Sequence, residues 1–401
     1  MKTRTIAIIG GGPAGATTAE NLANGWGLCR QGSGHRVLVF EEKIGWEKPC
    51  GGGLSHKALQ RYPFLAEATG GGNLLRDAEF IAPSGAAMRF HLRAPLAVYS
   101  RAALNQLLLH RAEVAGAEIV ADRIVRLRRK DAGWEIAGRG NTYRADFVVL
   151  AAGARTRLRQ TLADDFLPGD FMLTYGYYVP GPCDLLRIQF YEEFEGYAWA
   201  FPRLDHVSVG ICAKAGEETM AALRERLSAF MQRCGYVADP QRIFSHVLPS
   251  LSVESWGSLR LAGQGWALVG DAAGLVDPVT GEGIYYAMRS GDLLAESLLE
   301  DFPEGYPERV RNEFGRALAL GARLARMFYH GEFLGGGITT RMIEFGSQSY
   351  KFLEVVQDLI EGSQSYLGLV VRLYTGLART LLEMGVGRLR EIFEVPPATQ
   401  S

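Results

Sequence analysis

Gly10, Gly12 and Gly15 stand at the spacing G-x-G-x-x-G, directly after the β-branched run Thr5–Ile9 and directly before a helix-forming stretch at 16–24. Glycines so placed permit a tight turn, a close backbone approach to a pyrophosphate and close packing of helix on strand. The amides that open the helix, around Pro13 and Ala14, then face the anion. A second apolar run at 37–40 ends in Glu41, followed by Glu42. An acid at that strand tip suits the hydroxyls of an adenosine ribose. Alone, Glu41 reads as a solvated strand-end charge; its position after the glycines favours the ribose role. The interval from Gly15 to Glu41 exceeds the customary twenty or so residues, which a surface loop at 25–35 explains.

Two further groups of residues have chemical potential. Cys50 follows Pro49 and precedes Gly51, Gly52 and Gly53. Such a loop carries little side-chain bulk and can bring backbone and thiol against a planar ligand, although a small buried thiol serves packing equally well. Tyr197, Trp199 and Phe201 alternate ahead of Pro202, so on a strand all three side chains project from one face. That face is either an aromatic wall for an apolar ligand or ordinary core.

The elements that must position these residues are legible in outline. Strand, turn and helix open the chain, and 118–137 alternates about Asp131-Ala132-Gly133, predicting a hairpin. Phe147–Leu150 runs into Ala151-Ala152-Gly153, and 266–269 runs into Gly270-Asp271-Ala272-Ala273-Gly274, so the nucleotide-binding sheet is built from discontinuous segments. Residues 171–212 are rich in Tyr, Phe, Val and Ile and predict a separate antiparallel sheet. After about 305 the pattern is helical, with Leu367, Val370, Val371, Tyr374, Leu377 and Leu381 spaced to share one face. Those helices, with Arg372, Arg379 and Arg388, could close a cavity, pair with another subunit or make peripheral contact with a membrane.

Composition bounds the rest. A 401-residue chain, 47% hydrophobic, supports two interleaved lobes and a large buried cofactor. The 43 basic and 44 acidic residues nearly cancel, which removes the footprint of a nucleic-acid binder. The cysteines Cys29, Cys50, Cys183, Cys212 and Cys234 are scattered without a CxxC pair, so no zinc ribbon or disulfide framework is expected and a reducing cytoplasm fits. The short apolar run before Gly10 is no signal peptide, and no uncharged stretch is long enough to span a bilayer.

Tyr99-Ser100-Arg101 with Leu104 and Leu108, Ala151-Ala152-Gly153 and Gly270-Asp271-Ala272-Ala273-Gly274 together resemble the FAD-binding set of aromatic-hydroxylase-type flavoproteins. The resemblance implies FAD as cofactor, Arg101 near its phosphates and Asp271 on its ribityl chain, with Ala152, Gly153 and Gly270 alongside. Pro278, Gly281, Gly283 and Ile284 open a helix whose amides could face the pyrimidine edge of the flavin and stabilise its anionic reduced form.

A narrower resemblance rests on Lys48-Pro49-Cys50-Gly51-Gly52-Gly53-Leu54, Tyr197-Ala198-Trp199-Ala200-Phe201-Pro202 and Gly281-Glu282-Gly283-Ile284 with Ala287, Ser290 and Gly291. These are similar to the geranylgeranyl reductase family, which uses reduced FAD to saturate isoprenoid double bonds. One departure stands out: the family continues the aromatic motif to Gly-x-Gly, whereas Val209-Gly210-Ile211-Cys212 keeps one glycine.

The fold implied is α/β: a Rossmann-type FAD-binding domain (1–80, 101–165 and 261–305), an antiparallel β-sheet substrate domain (81–100 and 166–260) and a helical C-terminal region (306–401). The activity implied is hydride transfer from flavin N5 to an apolar alkene, with Cys50 and Tyr197 as candidate proton donors or substrate positioners, Trp199 beside them at the reacting centre, and Tyr197, Trp199, Phe201 and Pro202 as the substrate wall. Thiols at their ordinary pKa are poor acids for an unactivated alkene. The alternative is a flavin monooxygenase or halogenase acting on an aromatic substrate, because Trp199-x-Phe201-Pro202 also resembles the halogenase WxWxIP segment, with Tyr197 in place of its first tryptophan. A non-redox, lycopene-cyclase-like isomerase and a pure FAD-binding protein complete the readings. The chain shows no second dinucleotide fingerprint, so electrons are expected from an external donor, NADPH or a ferredoxin-like protein.

Overall fold

A computed structural model describes residues 3–28, 34–67, 71–181, 183–333 and 335–362, together with Tyr366 and Gly368. The expected helix face at 367–381, its three arginines and Cys29 lie outside these residues.

Six strands form the first sheet, in the order Ala262–Gly263, Trp266–Leu268, Phe147–Leu150, Thr5–Ile9, Arg36–Phe40 and Glu118–Val120. All pair in parallel except the first two, with Ile6 opposite both Phe147 and Val37. Parallel strands covered on both faces read as unbroken apolar runs, and Ile6, Ala7, Ile8, Val37, Val39, Val148 and Val149 are fully buried. The helix Pro13–Gly25 covers this sheet between the helices Arg101–Val114 and Ile284–Leu299. It crosses the latter at Gly291, where a Cβ would stand 2.7 Å from the Ala14 carbonyl oxygen.

The second sheet has eight strands, in the order Ile243–Pro249, Phe171–Pro180, His206–Lys214, Gly196–Pro202, Leu185–Phe190, Gly72–Ile81, Ala87–Tyr99 and Gly53–Leu54. It departs from a purely antiparallel sheet at one seam: Leu185–Phe190 runs parallel to Gly72–Ile81. The two strands lie about a hundred residues apart in the chain, so local alternation carries no sign of their relative direction. The hairpin expected over 118–137 is also shorter. Glu118–Val120 joins the first sheet, and Ile124–Lys130 pairs with Gly133–Gly138 around Asp131, which adopts a positive φ of 53°. Asp122 makes the break, because its carboxylate accepts the amides of Arg139 and Gly140 at 2.9 and 3.3 Å.

The helices Ile338–Gln348 and Tyr350–Glu361 lie against the strand Ala87–Tyr99, and the helix Arg316–His330 packs on Ile338–Gln348. Phe80, Phe90, Phe190, Phe345 and Phe352 share one buried cluster there, with ring pairs at 5.3 to 5.8 Å in edge-to-face contact. Arg93 ties the last helix down through Asp358 and Glu361. No helix among the described residues is long and apolar enough to cross a membrane.

Candidate active site

A cavity of about 820 Å³ starts at the carboxyl ends of the first sheet and continues between the second sheet and the C-terminal helices. Its first arm is the glycine turn. Gly10 has φ +107° and a Cβ there would meet the Ala151 carbonyl oxygen at 2.5 Å, while one on Gly15 would meet the Gly10 oxygen at 2.0 Å. Gly12 differs, having nothing within 4 Å of a would-be Cβ. No side chain caps the helix that follows, which carries Pro13 at its first position, so its opening amides face the cavity.

Around that arm stand Glu41, Glu42, Arg101, Ala152 and Gly153. Glu41 is partly committed, accepting the amides of Gly11 at 2.9 Å and Lys43 at 2.8 Å. Glu42 pairs with Arg123 and Arg139. Arg101 is buried, its Nε has no partner among the described residues, and its guanidinium reaches Asn105 at 3.3 Å. An uncapped helix start, an open cradle at Gly12 and an unsatisfied buried guanidinium nitrogen form the donor set a dinucleotide diphosphate requires. Within the expected set, Gly15, Gly270, Pro278 and Pro202 stand behind the cavity wall. Gly270, at φ +58°, packs against Ala14 and Ala287, and Pro278 packs against Gly321.

Farther along, Asp271 receives the Lys48 ammonium at 2.9 Å. Burial alone would raise its pKa; Lys48, Arg101 and His246 outweigh that and hold the carboxyl below its ordinary range. His246 lines the same stretch and is pushed down to about 4, by burial first and then by Lys48. Lys48 opens the motif shared with the geranylgeranyl reductases, whereas no spacing in the sequence marks His246.

The two motifs that carry the narrower resemblance dock on each other. Phe201 lies across the glycine loop, where a Cβ on Gly51 would stand 2.6 Å from its ring. Gly52, at φ +84°, brings the loop onto the Tyr99 carbonyl. Arg203, 1% exposed, donates to the Cys50 carbonyl oxygen at 2.8 Å and to Glu47 at 2.6 Å, and Ser208 donates to the same carbonyl at 3.0 Å. Burial would raise the pKa of Glu47, but Arg203, the Ser100 hydroxyl and the amides of Arg101 and Ala102 bring it down. Glu47 therefore occupies the start of the Arg101–Val114 helix, leaving only the Arg101 side chain for a ligand.

Cys50, Tyr197, Trp199 and Phe201 all line the cavity. The Cys50 sulfur accepts the Gly52 amide at 3.3 Å. Trp199 lies on Gly210, where a Cβ would come within 2.4 Å of the indole, and donates to Ser208 at 3.3 Å. One glycine suffices for that contact; Cys212, at the position of the missing second glycine, instead puts a thiol in the wall, raised by burial to about 12. The Tyr197 hydroxyl donates to the Thr280 carbonyl at 2.6 Å, and burial drives its pKa well above the ordinary tyrosine value. This hydrogen bond ties the aromatic strand to the 277–283 loop.

The far arm is apolar. Phe80, Leu96, Leu186, Ile188, Phe190 and Phe328 line it from the sheet and the Arg316–His330 helix, with Leu359 and Ile360 from the last helix.

Comparison with known proteins accords with this arrangement. A family model described as FAD dependent oxidoreductase matches residues 52–295, more than half of the chain. A chloroplastic geranylgeranyl diphosphate reductase from Oryza sativa subsp. japonica is 28% identical, over 80% of this chain and 71% of its own. A menaquinone reductase from Mycolicibacterium smegmatis is 26% identical, over 83% and 87%. Among solved structures, a geranylgeranyl bacteriochlorophyll reductase-like protein from Thermoplasma acidophilum superposes with a TM-score of 0.74 at 20% identity, covering 94% of this chain and 99% of that one. A flavin-dependent brominase gives 0.70 at 17% identity, covering 90% and 94%. The resemblance to geranylgeranyl reductases read from the motifs is thus met by named relatives over most of the chain, and the fold is shared with halogenases. The chain belongs to the FAD-dependent oxidoreductase family and is an enzyme with FAD as its cofactor.

Proposed function

We propose that this enzyme reduces carbon-carbon double bonds in an isoprenoid chain. The observation that carries the reading is the apolar arm, which continues the cofactor cavity past Trp199 and Phe201 and is walled by Phe80, Leu186, Ile188, Phe190 and Phe328. A flexible hydrocarbon gains about 0.8 kcal/mol per buried CH₂ in such an arm. Relatives named as geranylgeranyl diphosphate and menaquinone reductases support an isoprenoid ligand.

Bound FAD supplies a hydride from its reduced ring. The protein's own work is alignment and exclusion of water. Gly10, Gly12, Pro13, Ala14 and Arg101 hold the diphosphate, with Glu41 at the ribose and Asp271 at the ribityl chain. Trp199 and Phe201 form the wall along which the alkene lies. Cys50, or a water it orders, would protonate the second carbon. Electrons come from an external donor, NADPH or a ferredoxin-like protein, and peripheral contact with a membrane would give an insoluble substrate its route to the cavity.

The deciding experiment is anaerobic mixing of reduced enzyme with prenyl substrates of several lengths. Flavin reoxidation with a product two hydrogens heavier per bond is expected. Failure at every length, with rapid oxygen uptake and a hydroxylated or halogenated aromatic product instead, would establish the monooxygenase or halogenase reading.

A further inference from the structure

The segment 277–283 lines the cavity ahead of the Ile284–Leu299 helix, and three tyrosine hydroxyls from three separate elements hold it. Tyr197, from the aromatic strand, donates to the Thr280 carbonyl at 2.6 Å. Tyr329, from the Arg316–His330 helix, donates to the Val279 carbonyl at 2.6 Å. Tyr366, C-terminal to the helix Tyr350–Glu361, donates to Asp277 Oδ1 at 2.5 Å.

Asp277 is the hub of this arrangement. The same Oδ1 accepts the amides of Val279 at 2.9 Å and Thr280 at 3.0 Å, while its backbone closes the loop onto Gly281 and Glu282, both at 2.9 Å. Asp277 is 5% exposed. The Tyr366 ring has a built seat: a Cβ on Gly321 would stand 2.8 Å from it. The loop so fixed presents Gly281 and Gly283 to the cavity and leads into a helix start that no side chain caps.

We propose that Tyr366 is a positioning residue for the flavin: by holding Asp277 it fixes the aim of the amides at 283–286, and through it the C-terminal helical region sets the reduction potential of the bound cofactor. Amides held in fixed positions toward a ring that gains negative charge on reduction stabilise the reduced form more than the oxidised form. Freedom in the loop erodes that difference. The inference rests on FAD binding and is independent of the substrate's identity.

The test uses the full-length holoenzyme carrying Tyr366→Phe, which keeps the ring in its seat and removes only the hydroxyl. The midpoint potential, the visible flavin spectrum and the melting temperature are measured together. A tenfold loss in preference for reduced over oxidised flavin is expected, which for a two-electron couple is a midpoint about 30 mV lower. Asp277→Glu, which keeps the charge but moves the acceptor away from the Val279 and Thr280 amides, should move the midpoint the same way. Tyr350→Phe, at a residue 67% exposed, should leave it unchanged. Where a variant binds FAD weakly, the ratio of its dissociation constants for reduced and oxidised FAD gives the same quantity. Wild-type midpoint and spectrum in both Tyr366→Phe and Asp277→Glu, whatever their melting temperatures, would overturn the proposal and leave Tyr366 a packing residue.

Discussion

The guanidinium of Arg203 donates to the backbone carbonyl of Cys50 at 2.8 Å, joining a cofactor-site loop to a strand more than 150 residues later in the chain. The same group neutralises Glu47, so one side chain holds the Cys50 loop and pairs the carboxylate that occupies the start of the Arg101–Val114 helix. Arg203→Ala leaves Glu47 without its cation and the carbonyl with Ser208 alone. We expect a loss of about 2–4 kcal/mol, discounted because Glu47 keeps some exposure, read by urea unfolding. A loss below about 0.5 kcal/mol would show that the pair carries little.

Gly10 and Gly12 separate folding from binding. Gly10→Ala drives a Cβ into Ala151 at a positive φ and should destabilise the protein with or without flavin. Gly12→Ser meets nothing, and its hydroxyl can cap the helix, changing stability by only a few tenths of a kcal/mol. The capped amides are then lost to the diphosphate. FAD affinity should fall at least tenfold by fluorescence titration while the flavin-free melting curve stays in place.

Tyr197→Phe separates a bracing role for that hydroxyl from proton donation. If the hydroxyl only braces Thr280, single-turnover reoxidation should slow less than about tenfold, with the hydrogen bond costing about 1 kcal/mol of stability. A general acid in that position would cost about a hundredfold or more. Cys50→Ala should show the larger kinetic effect of the two.

His246 gives a pH signature. Its folded pKa of about 4 lies below the ordinary 6.5, so between those values the unfolded chain binds a proton that the fold refuses. Stability is therefore complete above pH 6.5 and falls as the pH drops toward 4, by up to about 3 kcal/mol. In flavin-free protein, His246→Gln should flatten the stability profile across that window. An unchanged slope would mean that the imidazole titrates normally.

Ile188→Trp narrows the apolar arm. Turnover of the shortest prenyl substrates should persist, while the KM for the longest rises several-fold. Equal effects at every length would place the chain elsewhere.

What could be read in advance was local. The turn at Gly10 to Gly15 and the common face of Tyr197, Trp199 and Phe201 depend on neighbours within a few residues, and a strand's period of two is written directly in residue types. Arg203, His246 and Tyr366 acquire their roles from partners tens to hundreds of residues away, so nothing beside them in the chain signals those roles. Tyr197 shows both cases: its face was legible, and the carbonyl that occupies its hydroxyl was not. The parallel seam between Leu185–Phe190 and Gly72–Ile81 escaped for the same reason.

Adjacent strands of the first sheet come from Thr5–Ile9, Phe147–Leu150 and Trp266–Leu268. During synthesis the glycine turn precedes one of its two flanking strands, Phe147–Leu150, and the cavity residue Asp271 by long stretches of chain. Flavin capture is therefore a late event on the ribosome, and until then the growing polypeptide carries open sheet edges that invite association with other chains.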